Sequence, residues 1–157
     1  MRREGIMDER TSCRRVITAL LAGVLAIAGL LAVAPQPATA ATGPITAGLT
    51  ITPSSTTVGT GVTVTGSAKN TTSTTQMVSM GVDIPANITS TNVKGSNCTP
   101  RHLTKLIYCG FGLPAGATAT ITFTATPKVS GTLNFRSYAR ITYTTDDTFA
   151  YATVTAS

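Results

Sequence analysis

In the stretch GATATITFTAT, Gly116 to Thr126, apolar and hydroxyl residues take turns: Ala117, Ala119, Ile121, Phe123 and Ala125 alternate with threonine at every even position from Thr118. A period of two sends one set to a core face and the other to water, which is the pattern of a half-buried strand. The same alternation marks Val62, Val64, Gly66 and Ala68 as the inner face of one strand, and Val78, Met80, Val82 and Ile84 as that of another. In TLNFRSYARITY, Thr132 to Tyr143, the inner set is Leu133, Phe135, Ala139, Ile141 and Tyr143, and the outer set is Asn134, Arg136, Tyr138, Arg140 and Thr142. Shorter strands are predicted at Leu49 to Thr52, Ile88 to Val93, Leu106 to Phe111 and Ala150 to Ala156. The turn formers TPSS, GTG, IPAN, KGSN, LPAG, KVSG and TDD separate them, and the polar NTTSTTQ, Asn70 to Gln76, is predicted as an exposed loop. No segment alternates at helical period. Seven or eight short strands with punctuation about every 8 to 12 residues predict an all-β, antiparallel β-sandwich, with a closed barrel as the alternative.

The first quarter of the 157-residue chain has a different character. Arg2, Arg3, Arg10, Arg14 and Arg15 precede an uncharged apolar run, Val16 to Ala34, which gives way to PQP and then to ATA, Ala38 to Ala40. This is the layout of a secretory signal peptide, residues 1–40, with cleavage expected between Ala40 and Ala41. An uncleaved membrane anchor is the alternative, since a spanning helix needs roughly 20 apolar residues. Cys13 lies before the apolar run, not at its end where a lipid-modified cysteine belongs, and Met7 is a second candidate start. The mature chain, residues 41–157, is large enough for one domain with a single core.

Charge is sparse in that mature chain. Lys69, Lys94, Arg101, Lys105, Lys128, Arg136 and Arg140 face Asp83, Asp146 and Asp147, a scattered excess of four. Scattered cations do not make a nucleic-acid footprint, which needs them clustered on one face. Solubility falls to threonine and serine instead.

The segment from Tyr108 to Asp147, YCGFGLPAGATATITFTATPKVSGTLNFRSYARITYTTDD, resembles the second half of an immunoglobulin-like repeat module of bacterial cell-surface proteins known as domain of unknown function eleven. The shared features are a cysteine, a short strand, a PAGATAT turn into a Thr-alternating strand, a P…GT turn, and a long strand ending near acidic residues. Thr57 to Ile88 resembles the opening strands of the same module. KNTT stands here where the family has asparagine-glycine after its second strand, and Asp83 alone represents its acidic residue before the PA turn. The family resemblance implies an immunoglobulin-like β-sandwich of about seven strands and a place among surface proteins. That module normally occurs in tandem; this chain holds one.

The chemistry-bearing residues are few. NCTPRHLTKLIYC, Asn97 to Cys109, holds the single histidine, His102, and two of the three cysteines. In an exported chain two thiols oxidise to each other more readily than they stay metal ligands, so Cys98 and Cys109 are expected to form a disulfide. A zinc site would have three ligands, Cys98, His102 and Cys109, and no strong fourth; Asp146 and Asp147 suit a hairpin turn better than a calcium site. No metal and no cofactor are expected. Nucleophilic catalysis needs a base and an orienting acid around Ser, Cys or Thr, and no nucleophile motif accompanies His102, so no enzyme activity is expected. Three N-glycosylation patterns, at Asn70, Asn87 and Asn97, are within chance for a chain so rich in threonine.

Two surface features stand out. With Thr145 to Thr148 as a hairpin turn, Arg136, Tyr138 and Arg140 share an outer face with Phe149 and Tyr151, because Ala152 and Val154 claim the core. Arg101, His102 and Lys105 form a basic contact loop beside the disulfide. The expectation is a secreted, non-catalytic interaction or structural module, free or held non-covalently at the cell surface. Its partner is an extracellular protein or a cell-wall glycan, with no nucleic acid and no membrane after signal cleavage. Two alternatives are a chromophore-type small-molecule carrier, since Leu49 to Ala68 also resembles the opening of immunoglobulin-like carriers that normally hold two disulfides, and a secreted protease inhibitor.

Overall fold

The computed structural model describes residues 43–157; the predicted signal peptide, its Ala40–Ala41 cleavage point and Cys13 lie outside the described residues. Ten strands follow in order: β1 (Ile45–Thr52), β2 (Ser55–Thr56), β3 (Val62–Asn70), β4 (Gln76–Asp83), β5 (Ile88–Ser96), β6 (Arg101–Leu103), β7 (Leu106–Leu113), β8 (Thr118–Pro127), β9 (Gly131–Ile141) and β10 (Thr148–Ala156). They form two sheets, β1-β3-β8-β5 and β2-β10-β9-β4-β7-β6. Both sheets keep free edges, so the fold is a sandwich and not a closed barrel.

The connectivity is immunoglobulin-like. One sheet has the A-B-E-D order of that fold, and the other has G-F-C in β10, β9 and β4. The short β2 pairs parallel with the last strand, Thr155 opposite Ser55. Between the fourth and fifth strands of that frame, the chain adds a hairpin, β6 and β7, which extends the six-stranded sheet beyond β4. Sequence reading expected Arg101 to Lys105 to be a loop. In fact Arg101, His102 and Leu103 pair with Tyr108, Ile107 and Leu106.

The alternation places the core as predicted. Val62, Val64, Ala68, Val78, Met80, Val82, Ala119, Ile121, Phe123 and Ala125 are all buried, with Phe123 and Phe135 in contact across the sandwich, ring centres 6.5 Å apart. Each large side chain so removed from water is worth about 1.5–3 kcal/mol. The outward residues of β1, β3, β8 and β5 tile the first sheet with hydroxyls, one row running Thr52, Thr63, Thr124, Thr91. That face explains how a chain with so few charges stays in water.

Two details differ from expectation. Tyr143 was expected to face inward, yet it is 99% exposed with φ at 72°. β9 ends at Ile141, and the chain turns at once, Thr144 N–H bonding the Ile141 carbonyl and Thr142 N–H the Met77 carbonyl. The β9–β10 connection therefore runs over residues 142–147, wider than a turn at Thr145 to Thr148. The other difference is in NTTSTTQ, whose first residue is buried. The Asn70 amide donates to the carbonyls of Leu113, Thr74 and Pro114 at 2.9, 2.8 and 3.1 Å, and its oxygen accepts from the Thr72 N–H and hydroxyl. One side chain thus fastens this loop to the end of β7.

Candidate functional site

Cys98 and Cys109 are joined in the structure, Cα atoms 6.1 Å apart. Cys98 follows the end of β5, and Cys109 points inward from β7, so the bond ties the edge of one sheet to the other. Near it, His102 Nε2 lies 2.7 Å from Ser90 Oγ, a second link between the two sheets at the same edge. This pair has the separation of a nucleophile and a base; of the aspartates, Asp83 is held by Arg136 and Asp147 lies near Arg140. Arg101 and His102, as successive residues of a strand, point to opposite sides of β6, and the Lys105 carbonyl accepts the Ile84 N–H in the following turn. The structure therefore puts Arg101 and His102 on opposite faces of β6.

The structure brings together the other set. On the outer face of the six-stranded sheet, Phe149 stands opposite Tyr138, and Tyr151 opposite Arg136. The rings of Phe149 and Tyr151 are 6.4 Å apart at 34°, and Tyr151 is 61% exposed. The Arg136 guanidinium carbon sits 5.3 Å from the centre of the Phe149 ring, a cation–π contact. Its Nε and Nη2 both donate to Oδ2 of Asp83 at 2.6 Å, which raises the arginine pKa still further above its ordinary value. Arg140 lies 3.7 Å from Asp147.

The registers extend this patch into rows. One row crosses five strands as Phe149, Tyr138, Gly81, Tyr108 and Arg101. The next is Tyr151, Arg136, Asp83 and Leu106. Gly81 is there for a steric reason: a Cβ would stand 2.6 Å from the Tyr138 ring, which packs directly against the glycine. Burial on the sheet pushes the Tyr138 phenol above its ordinary pKa, with the Ser79 hydroxyl acting the other way. In the rows beside that of Tyr138, Ser79 stands opposite Gly110, and Met77, 56% exposed, stands opposite Gly112. The row ends in a groove of about 700 Å³ whose lining includes Arg101, Tyr108, Gly110 and Cys98. A second concavity, about 500 Å³, lies at the β9–β10 connection, where Asp146 and Asp147 face Gly43 and Pro44.

Sequence reading missed two buried polar residues. Asn70 and Ser137 both continue the inward parity of their strands, so the alternation itself was the signal; their polarity hid it.

No protein-family model matches the chain, and no curated protein matches it by sequence. Among solved structures, it is similar to BslA, described as a bacterial hydrophobin, at 16% identity with a TM-score of 0.52, over 73% of this chain and 95% of that one. It is also similar to AvmM, described as catalysing macrocyclization in alchivemycin A biosynthesis, at 9% identity and a TM-score of 0.46, over 71% and 89% of the two chains. The likeness to BslA, at so low an identity, is one of fold: a β-sandwich of matching extent.

Proposed function

We propose that the chain is a secreted, non-catalytic interaction module of the bacterial surface, in which a rigid sandwich presents the outer face of its six-stranded sheet to an extracellular partner. The observation that carries this reading is the pair of solvent-facing rings, Phe149 and Tyr151, framed by the Arg136–Asp83 ion pair. Aromatic and arginine side chains concentrate binding energy where they can be desolvated together. The opposite sheet offers hydroxyls, Asn92 and two lysines, Lys69 and Lys94, by comparison, with no outward aromatic ring among the described residues. The resemblance to surface-protein modules and the export signal support the same location. A carrier would need an apolar cleft between the sheets; here the inner faces are filled by Phe123, Phe135, Met80, Ile107 and Leu113, and both described concavities lie at the rim.

The test is affinity capture from cell wall and culture medium with the exported protein and with its Tyr151→Ala variant. Material retained by the first and lost by the second supports the reading. Equal retention by both would refute the assignment of this face.

A further inference from the structure

We infer that the ligand of this face is an uncharged polysaccharide chain, laid along the row from Phe149 and Tyr151 toward the groove at Arg101. This rests on the reading of the outer face as the binding surface, and it names the ligand's chemistry.

Charge comes first. Both arginines of the patch already face an aspartate, Arg136 with Asp83 at 2.6 Å and Arg140 with Asp147 at 3.7 Å. Beside the rings a ligand of either sign would meet a balanced surface and gain little net attraction, while Arg101, at the groove end, has no ion pair among the described residues. An uncharged ligand loses nothing by that balance.

Next is the hydrogen-bonding capacity left over. Arg136 uses Nε and Nη2, and both go to the same oxygen, Oδ2, of Asp83. Three N–H groups of Arg136, on Nη1 and Nη2, and Oδ1 of Asp83 remain, on side chains that are 48% and 36% exposed. A sugar hydroxyl is both acceptor and donor, so it can close that pair on both sides without any charge of its own.

The rings supply the third element. An aromatic face carries negative potential, and the C–H bonds on the flat side of a pyranose, polarised by ring and hydroxyl oxygens, meet it favourably. Phe149 and Tyr151 present two rings in sequence on one strand, 6.4 Å apart, Tyr151 the more open of the two because the Arg136 guanidinium sits over Phe149, and Tyr138 packs against Gly81 in the neighbouring position.

Shape decides between a glycan chain and a protein knob. The row spans five strands, about 19 Å at 4.7–4.9 Å per strand. Its middle, Gly81, lies under the Tyr138 ring, and beside it in the next row Gly110 is open, where a Cβ would meet nothing nearer than 3.9 Å. A row of this length, with open space beside it at Gly110 and a groove at its end, accepts an extended chain.

Gel electrophoresis through hydroxyethylcellulose, glucomannan, arabinoxylan or polygalacturonate tests this. Retardation by at least one of the three uncharged polymers, unchanged by added salt, is expected. Tyr151→Ala and Gly110→Phe should each weaken it roughly tenfold. Gly110→Phe fills a position with open space, so its melting temperature should match the parent, which separates blocking from misfolding. Retardation by polygalacturonate alone, by none of the uncharged polymers, or equally in both variants would overturn the inference. If that happens while capture from wall and medium still depends on Tyr151, the partner is a protein and the interaction-module reading survives. If capture is also indifferent to Tyr151, both fall.

Discussion

Ser137 makes the sharpest prediction about this fold. It sits on β9 facing inward, fully buried, and its hydroxyl has no hydrogen-bonding partner among the described residues. Across the sandwich it meets Gly66 of β3, where a Cβ would stand 3.3 Å from Ser137 Oγ and 2.5 Å from Val82 Cγ2. In the unfolded chain that hydroxyl is hydrated, and burying it unpaired costs about 1–3 kcal/mol. Ser137→Ala removes the cost but forfeits the oxygen's dispersion contacts, about 0.1–0.2 kcal/mol for each of a handful of neighbours. The balance is a gain of about 1 kcal/mol, or roughly 4 °C in melting temperature for a domain of this size. Urea unfolding at constant m-value, with calorimetry alongside, reads it directly. Gly66→Ala should move the other way, by about 1–3 kcal/mol, because the added methyl has no room against Val82. A Ser137→Ala protein no more stable than the parent would refute the reasoning, since the hydroxyl would then have been satisfied in the native state.

Asn70→Ala should destabilise by about 2–4 kcal/mol in chemical denaturation, because it strips partners from the buried Leu113 carbonyl and frees the loop after β3. Replacing Cys98 and Cys109 together by serine opens a closure of 11 residues' separation and should cost about 3 kcal/mol, seen as a lower melting temperature that reductant reproduces in the parent. The Tyr138 phenol has its pKa raised in the fold by burial, so the neutral form is favoured there. Its stabilisation is complete below the unfolded pKa, near 10, and is lost as pH rises through the folded value. Melting temperature against pH should accordingly fall less steeply above about pH 10 in Tyr138→Phe than in the parent.

The core was legible because its strands obey one rule without interruption. Threonine at every second position of β8, and Val62, Val64, Gly66 and Ala68 at every second position of β3, leave only one face that can meet another sheet. The candidate face was legible in part: Ala152 and Val154 fix the outward direction of Phe149 and Tyr151, and the hairpin brings Arg136 and Tyr138 beside them. Its partner across the next strand was not. Asp83 reaches Arg136 only through the pairing of β4 with β9, 53 residues apart in sequence, and strand order is not written in alternation.

Alternation also says which way a residue points, but not what it will find there. Ser137 and Asn70 share the inward parity of their neighbours; one meets a glycine and no partner, the other three carbonyls. Tyr143 shows the converse, for its parity points inward but the turn closed between Ile141 and Thr144 removes it from the strand. The sequence by itself determined the class of fold, the inner faces of the strands and the disulfide, because each depends on local period or on compartment chemistry. The tertiary structure alone decided the six-strand order, the added β6–β7 hairpin and the row from Phe149 to Arg101. Each of these depends on backbone hydrogen bonds between segments far apart in the chain, and many sequences with the same alternation satisfy them differently.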